Sequence, residues 1–511
     1  MFNNNQITNM KQYIFFSAAA VIMATACMKE EGNYDYKPIN EAVIKLDPEV
    51  TGKLGEQLVI TPEIALTQDA AGGVDENRYA YSWVIQVNTT TVREIAKTRV
   101  FDQKLDSLDV GTYVASFSIK DKQTGVSYAQ KFRLTVTTAA YEGFFVLGAL
   151  GDSSRLDLLA FDGANMDETE QFTDVLTAFN SGYPRPIGKP LGMYTATKTN
   201  DYQFFISTTT GTNSLDRNTL KWSANKAISF LCFGKIPDNF VPERFWSLGS
   251  LYVMYNGGNI HTYTNASLFN LGAPHNHVRG EAQPFRASRY FNVGTGGSAS
   301  VLMFDEEKRR FARVIMRTTG TDAYASLINT VTGSKFDFSD VKMDLVWMSR
   351  NVSAGNVTAV LKNDAGENWL AIFNPSTSAQ AMFQKMNVGA DFASFAGIAA
   401  DPVWSTLYYA SGNKLYAYLP DANREVMVQD FGEPVTQLFF PNNITNTAFY
   451  ANYRDKLMVA TFNASQPETG GTLRFFSTFN QGSVPQLKPT VSHGGFAKVK
   501  EVAFRSRSGN L

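Results

Sequence analysis

Cysteine and histidine are the scarcest chemistry-bearing residues: 511 residues contain two Cys, Cys27 and Cys232, and four His. A single pair of thiols cannot build a disulfide framework, and a chain of this length does not need one. Neither H-E-x-x-H nor C-x-x-C occurs, and no Walker-type phosphate loop or dinucleotide fingerprint is present. Those absences exclude the metal and nucleotide sites that spacing alone can reveal. A dominant charge is also missing. Lys plus Arg number 46 against 47 for Asp plus Glu, so the net charge is −1. Nucleic acid is therefore not expected as a partner, since no basic field exists to hold it. No apolar run reaches the roughly 20 residues of a membrane-spanning helix.

Aromatic residues are abundant, with 38 Phe, 22 Tyr and 6 Trp. They favour strands, where they pack on a pleated surface. The length suits two domains and a leader. From Met10 the chain carries Lys11, an apolar stretch over Tyr13 to Met23, then Ala24-Thr25-Ala26 and Cys27. That layout is a secretory signal, assigned to 1–26. Its end resembles a bacterial lipobox, in which the cysteine is lipidated and becomes the mature N-terminus, although Ala24 stands where Leu, Val or Ile is commoner. The resemblance makes Cys27 the lipid attachment site. Acyl chains anchor because each buried methylene contributes about 0.8 kcal/mol. Met28-Lys29-Glu30-Glu31 looks like the export signal that sends Bacteroidetes lipoproteins to the outer face. Residues 27–40 read as a tether.

Gly32-Asn33-Tyr34-Asp35-Tyr36 resembles the opening of the PKD-like family of Bacteroidetes lipoproteins. The resemblance implies a setting beside SusC/SusD-type nutrient importers and brings no active site with it. The residues of 41–138 independently predict an Ig/PKD-like β-sandwich. Tyr81, Trp83, Ile85 and Val87 alternate with other residues, as do Tyr113, Ala115, Phe117 and Ile119, then Phe132, Leu134 and Val136. Period-two alternation marks strands with one buried face, and about seven are expected. Trp83 reads as the core plug, and Asp121-Lys122-Gln123-Thr124-Gly125 as a hairpin loop.

Residues 139–511 repeat one unit: apolar strand, tight polar turn, second apolar strand. Copies start at Phe144, Tyr202, Leu251, Val301, Val357, Leu407 and Ala448, 41–58 residues apart. That period predicts a β-propeller of about seven blades, with six or eight left open. The last apolar run, Val499 to Phe504, lacks a hairpin partner and is expected to join the first blade and close the ring. Trp246 and Trp404 read as inter-blade packing, and Ile228 to Phe233 as a buried strand holding Cys232 as a small core hydrophobe.

Candidate chemistry is thin. His275 and His277 share a loop, but no third ligand lies at zinc spacing, so no metal is expected. Gly296-Gly297-Ser298-Ala299-Ser300 falls short of a nucleophile elbow and reads as a flexible glycine loop. Asp305 to Arg310 reads as a salt-laced hairpin tip. Asp152, Asp162, Asp201, Asp401 and Asp421 stand near strand ends, where turn-making is their usual work, though any two could meet in an axial channel. Tyr183-Pro184-Arg185-Pro186 and Tyr290-Phe291 are candidate aromatic contacts for a ligand.

With no catalytic motif and no cofactor motif, the expectation is a non-catalytic lipoprotein of the outer membrane, facing outward. It would bind or scaffold within a SusC/SusD-type uptake system for an oligosaccharide or peptide. The alternative is a propeller glycoside hydrolase or lyase acting on an extracellular polysaccharide.

Overall fold

A computed structural model describes residues 39–138, 142–161, 169–195, 203–216, 219–238, 240–248, 251–264, 268–296, 298–317, 320–321, 324–351, 355–441, 453, 455–481 and 484–505. The expected leader, Cys27 and the expected tether as far as 38 lie outside them, as do Asp162 and Asp201. Contacts divide the chain after Val136 into two compact units. Both are built of strands, and no helix among the described residues is long and apolar enough to cross a membrane.

In the first unit, Tyr79–Gln86 alternates inward and outward, burying Tyr79, Tyr81, Trp83 and Ile85. It pairs antiparallel with Gly111–Asp121, which in turn pairs with Ser127–Thr137. Glu49–Lys53 and Val92–Ala96 complete a five-stranded sheet. Trp83 is fully buried, its ring 4.5 Å from Phe117, 5.5 Å from Phe101 and 6.0 Å from Phe132. Its indole N–H donates to the Thr98 carbonyl at 2.8 Å, so the polar end of this core plug is satisfied. The loop after Gly111–Asp121 closes through Gly125 N–H to the Asp121 carbonyl at 2.8 Å. Nine strands are described here rather than about seven. The surplus comes from two short pairs, Ala42–Lys45 with Glu63–Leu66 and Gln57–Ile60 with Phe101–Lys104, whose four-residue strands are too brief to register as alternation. Val87 lies just beyond its strand and is exposed.

The second unit is a β-propeller-like ring. Seven antiparallel sheets of three to five strands follow one another among its described residues. The leading strands are Lys498–Arg505, Pro190–Thr195, Arg244–Leu248, Asn292–Gly296, Asp344–Arg350, Gly397–Ala400 and Val435–Phe439, and each touches the next around a closed circuit. The cores lie between sheets. Phe145, Leu147 and Leu158 of the first sheet meet Phe204 and Ile206 of the second. Such shared clusters continue around the ring until Met458, Leu473 and Phe475 of the seventh meet Phe144 and Val146 of the first. Each sheet thus buries both faces against its neighbours, which accounts for the phenylalanine content.

Lys498–Arg505 pairs with Gly143–Leu150, so the last run closes the first sheet as its apolar pattern predicts. Phe144 stands opposite Phe504, with ring centroids 5.0 Å apart. The Thr195 hydroxyl donates to the Phe504 carbonyl at 2.6 Å and ties the closure to the second sheet. Close approach needs Gly148: a Cβ there would lie 2.8 Å from the Ala497 Cβ.

The repeated hairpins at Phe144, Leu251 and Leu407 form as read. The copy at Ala448 differs. Residues 442–452 lie outside the described residues, and Lys456–Phe462, expected as a second strand of that hairpin, instead pairs with Val435–Phe439 and Gly471–Gln481. The run Ile228 to Phe233 is also corrected: Ile228–Leu231 is a 3₁₀ turn and only Cys232–Phe233 is extended, paired parallel with Phe269–Asn270. The turn points Ile228 and Cys232 inward and leaves Phe230 and Phe233 exposed, a division that an apolar run does not announce. Gly296 and Ser298 pair as the end of a hairpin, not as a loose glycine loop.

Candidate functional site

Antiparallel pairing puts the start of each leading strand level with the end of the second strand, as Lys498 opposite Ala149 and Val435 opposite Thr461 show. On that end of the ring a cavity of about 890 Å³ opens among the first, second, sixth and seventh sheets. Its walls are turn backbone and apolar groups, including Ala149, Pro190, Ala396, Pro434, Val435 and Phe462. The charged lining residues are Lys189, Lys498, Lys500 and Glu433.

Each has a local cause. Lys189 reaches Asp152 at 2.7 Å, and that pairing holds the Asp152 carboxyl below its ordinary value. Lys498 places its ammonium 5.9 Å from the centre of the Phe462 ring. Lys500 sits where the pairing with Gly143–Leu150 shifts register, since Gly148 faces Val499 while Leu147 faces Glu501. A bulge of this kind re-aims a side chain, and here it falls on the cavity wall. Glu433 accepts the Thr461 hydroxyl at 3.1 Å. Next to Lys500, burial pushes the Glu501 carboxyl up despite the fields of Arg244, Lys500 and Arg289. Burial likewise pushes the Arg244 guanidinium down. The walls carry three cations and one carboxylate, an arrangement that can hold an anion through charge and flat groups through apolar contact. Among the described residues Glu433 is the single acid on these walls.

The candidates drawn from the sequence fall elsewhere. Asp152 is an exposed partner of Lys189. Asp401 is buried: its carboxylate takes the Val403 and Trp404 N–H groups at 2.8 and 2.9 Å and the Thr478 hydroxyl at 2.7 Å. It is a turn-maker, and burial raises its pKa. Asp421 lies exposed in the turn between Lys414–Leu419 and Arg424–Asp430. That same Asp401 turn corrects Trp404, which it holds out at the rim, 49% exposed, rather than between sheets. Trp246 does pack against the cluster between the third and fourth sheets.

Tyr183 and Phe291 are core residues, and Tyr290 packs beside two clusters, so neither Tyr183-Pro184-Arg185-Pro186 nor Tyr290-Phe291 presents an exposed aromatic platform. Burial pushes the Tyr183 hydroxyl up to about 12. The His275 ring is pushed down to about 4 by burial, with His261 adding to the effect. His277 contacts the Glu281 carbonyl at 2.7 Å, and no cluster of three metal-capable side chains occurs among the described residues. Asp305 and Arg310 pair at 2.9 Å at the hairpin tip, and Glu281 joins Arg310 at 2.6 Å and Lys308 at 2.8 Å. Cys232 is buried and free, and burial pushes its thiol up to about 12.

The PKD-like family matches residues 27–183. No curated protein matches the chain. Among solved structures, a quinonprotein alcohol dehydrogenase-like protein from Bacteroides thetaiotaomicron is 14% identical, covers 89% of this chain and 96% of its own, and superposes with a TM-score of 0.42. The WD40 domain of Neurospora crassa Pan2 is 10% identical over 59% of this chain and 79% of its own, at a TM-score of 0.35. The Toxoplasma gondii coronin WD40 domain is 8% identical over 72% and 80%, at 0.31. Likenesses this distant assign no activity.

Proposed function

We propose that this chain is an outward-facing outer-membrane lipoprotein, anchored through Cys27, whose ring captures a nutrient for a SusC/SusD-type importer. The seven sheets are taken as seven blades, and the sandwich as a spacer between anchor and ring. The observation that carries capture over catalysis is the cavity. Turn backbone and apolar groups make its walls, three lysines supply its charge, and one carboxylate stands among them. Such walls suit holding a ligand, and among the described residues they lack the paired acids that cleavage of a glycosidic bond requires. The leader, the lipobox-like end and Lys29-Glu30-Glu31 support the anchor and its outward face.

Capture close to an importer raises the local concentration of ligand and links two weak contacts into a stronger one. The test is affinity isolation from membranes of cells carrying a tagged chain, paired with calorimetry against glycan and peptide panels. Recovery of a SusC/SusD-type pair together with a bound panel member is the expected result. Recovery of neither removes the proposal, and turnover of a glycan would replace it with an enzyme.

A further inference from the structure

We propose that the cavity selects an anionic oligosaccharide, a short chain of carboxylate-bearing sugars. This deepens the capture reading above and rests on it. The first ground is charge. Lys189, Lys498 and Lys500 outnumber Glu433 on the walls. Glu433 is already engaged by the Thr461 hydroxyl, which in turn accepts a bond from Arg474. No ion pair holds Lys498 or Lys500 among the described residues, and Lys189 leans only on an Asp152 that is 92% exposed. An exposed pair of that kind is weak and is readily exchanged for a ligand carboxylate.

Backbone geometry supplies the second ground. The register shift at Lys500 is one of four in the leading strands, with those at Pro190/Gly192, Leu345/Trp347 and Val435/Gln437, and the Lys500 carbonyl accepts the Gln437 side-chain amide at 2.8 Å. A bulge turns its extra residue out of the ladder, and at this place that residue is an exposed lysine on the cavity wall. The third is shape. Phe462 and Pro434 offer apolar surface beside the charges, suited to the C–H faces of sugar rings, and about 890 Å³ falls in the range of small-ligand pockets.

The experiment is calorimetry on the full chain in detergent, with trigalacturonate, a neutral galactose trimer and triglutamate as probes. Trigalacturonate is expected to bind, and the neutral trimer to bind at least about tenfold more weakly. A Lys498→Ala/Lys500→Ala double variant should lose about tenfold or more for trigalacturonate, while a Lys385→Ala control, on an exposed pair with Glu367, changes nothing. Both lysines are solvent-exposed, so a melting curve matching the parent's confirms folding. Equal binding of the neutral trimer, or an unaffected double variant, overturns the anionic assignment and leaves capture standing. Binding of triglutamate alone overturns the sugar class. No binding of any probe overturns the assignment, and a silent glycan and peptide panel would remove capture with it.

Discussion

Removing the closing strand is the severest test of the ring. A chain ending at Ala497 loses Val499, Val502 and Phe504, which are 1%, 8% and 6% exposed in the fold. At roughly 1.5–3 kcal/mol for each buried apolar side chain, their burial contributes on the order of 5–9 kcal/mol. Deletion also bares the edge of Gly143–Leu150 and takes away the contact with Pro190–Thr195. Whole domains are stable by only about 5–15 kcal/mol, so the truncated ring should not hold together at room temperature. Phe504→Ala is the graded version, expected to cost about 3–5 kcal/mol. Met427→Ala, at a side chain 52% exposed, is the control and should stay within about 0.5 kcal/mol. Urea unfolding followed by calorimetry and tryptophan fluorescence resolves the two units. The sandwich transition should persist in the truncated chain while the ring transition vanishes. A truncated chain that kept both transitions at their original midpoints would refute closure by this strand.

Gly148→Ala should destabilise the ring by about 1–3 kcal/mol through contact with Ala497, and Ala497→Gly in the same chain should restore part of the loss in a denaturant melt. Arg155 and Asp157 form a buried pair at 2.7 Å, and Arg155 also donates to the carbonyls of Glu468, in the turn after Lys456–Phe462, and of Gly495 in the seventh sheet. Asp157→Ala should therefore cost about 3–5 kcal/mol, whereas replacing both by apolar residues should cost much less in the same melt. His275 has a folded pKa of about 4, below the 6.5 of the free ring, so the unfolded chain takes up a proton that the folded chain refuses. Stability is unaffected above pH 7 and is lost as pH falls from 6.5 toward 4, each tenfold difference in proton affinity being worth about 1.4 kcal/mol. His261 and His493 are displaced the same way, while Asp157 and Asp401, raised by burial, oppose it. His275→Gln should flatten the fall in melting temperature between pH 7 and pH 4, and an unchanged slope would clear the imidazole.

Much of the fold is legible because strands advertise one buried face. Trp83, Phe117, Leu134 and Val136 alternate as the sandwich core requires, and Phe144, Leu251 and Leu407 open hairpins whose turns carry Gly with Asp or Asn. The lone run at Val499 announces closure because an unpaired strand edge has to be covered. Charges at Asp305 and Arg310 announce a hairpin tip because they face each other across it. What hides is whatever depends on the ring closing. The cavity gathers Ala149, Lys189, Ala396, Glu433, Phe462 and Lys500 from four sheets, with no spacing to connect them. A register shift at Lys500 leaves no mark in sequence either. Trp404 misleads because its position is set by hydrogen bonds to Asp401 rather than by its own apolarity. Tyr183 misleads in the opposite sense, since two neighbouring prolines suggest a surface loop while its ring packs into the core.

Capture for an importer requires above all that the ring stand outside the cell. Protease treatment of intact cells, followed by immunoblotting for a tag on the ring, addresses this directly. An outward-facing lipoprotein predicts that the tagged chain is digested while the outer membrane stays sealed, and that a Cys27→Ala chain is no longer found there. Protection of the tag until the outer membrane is permeabilised would contradict it.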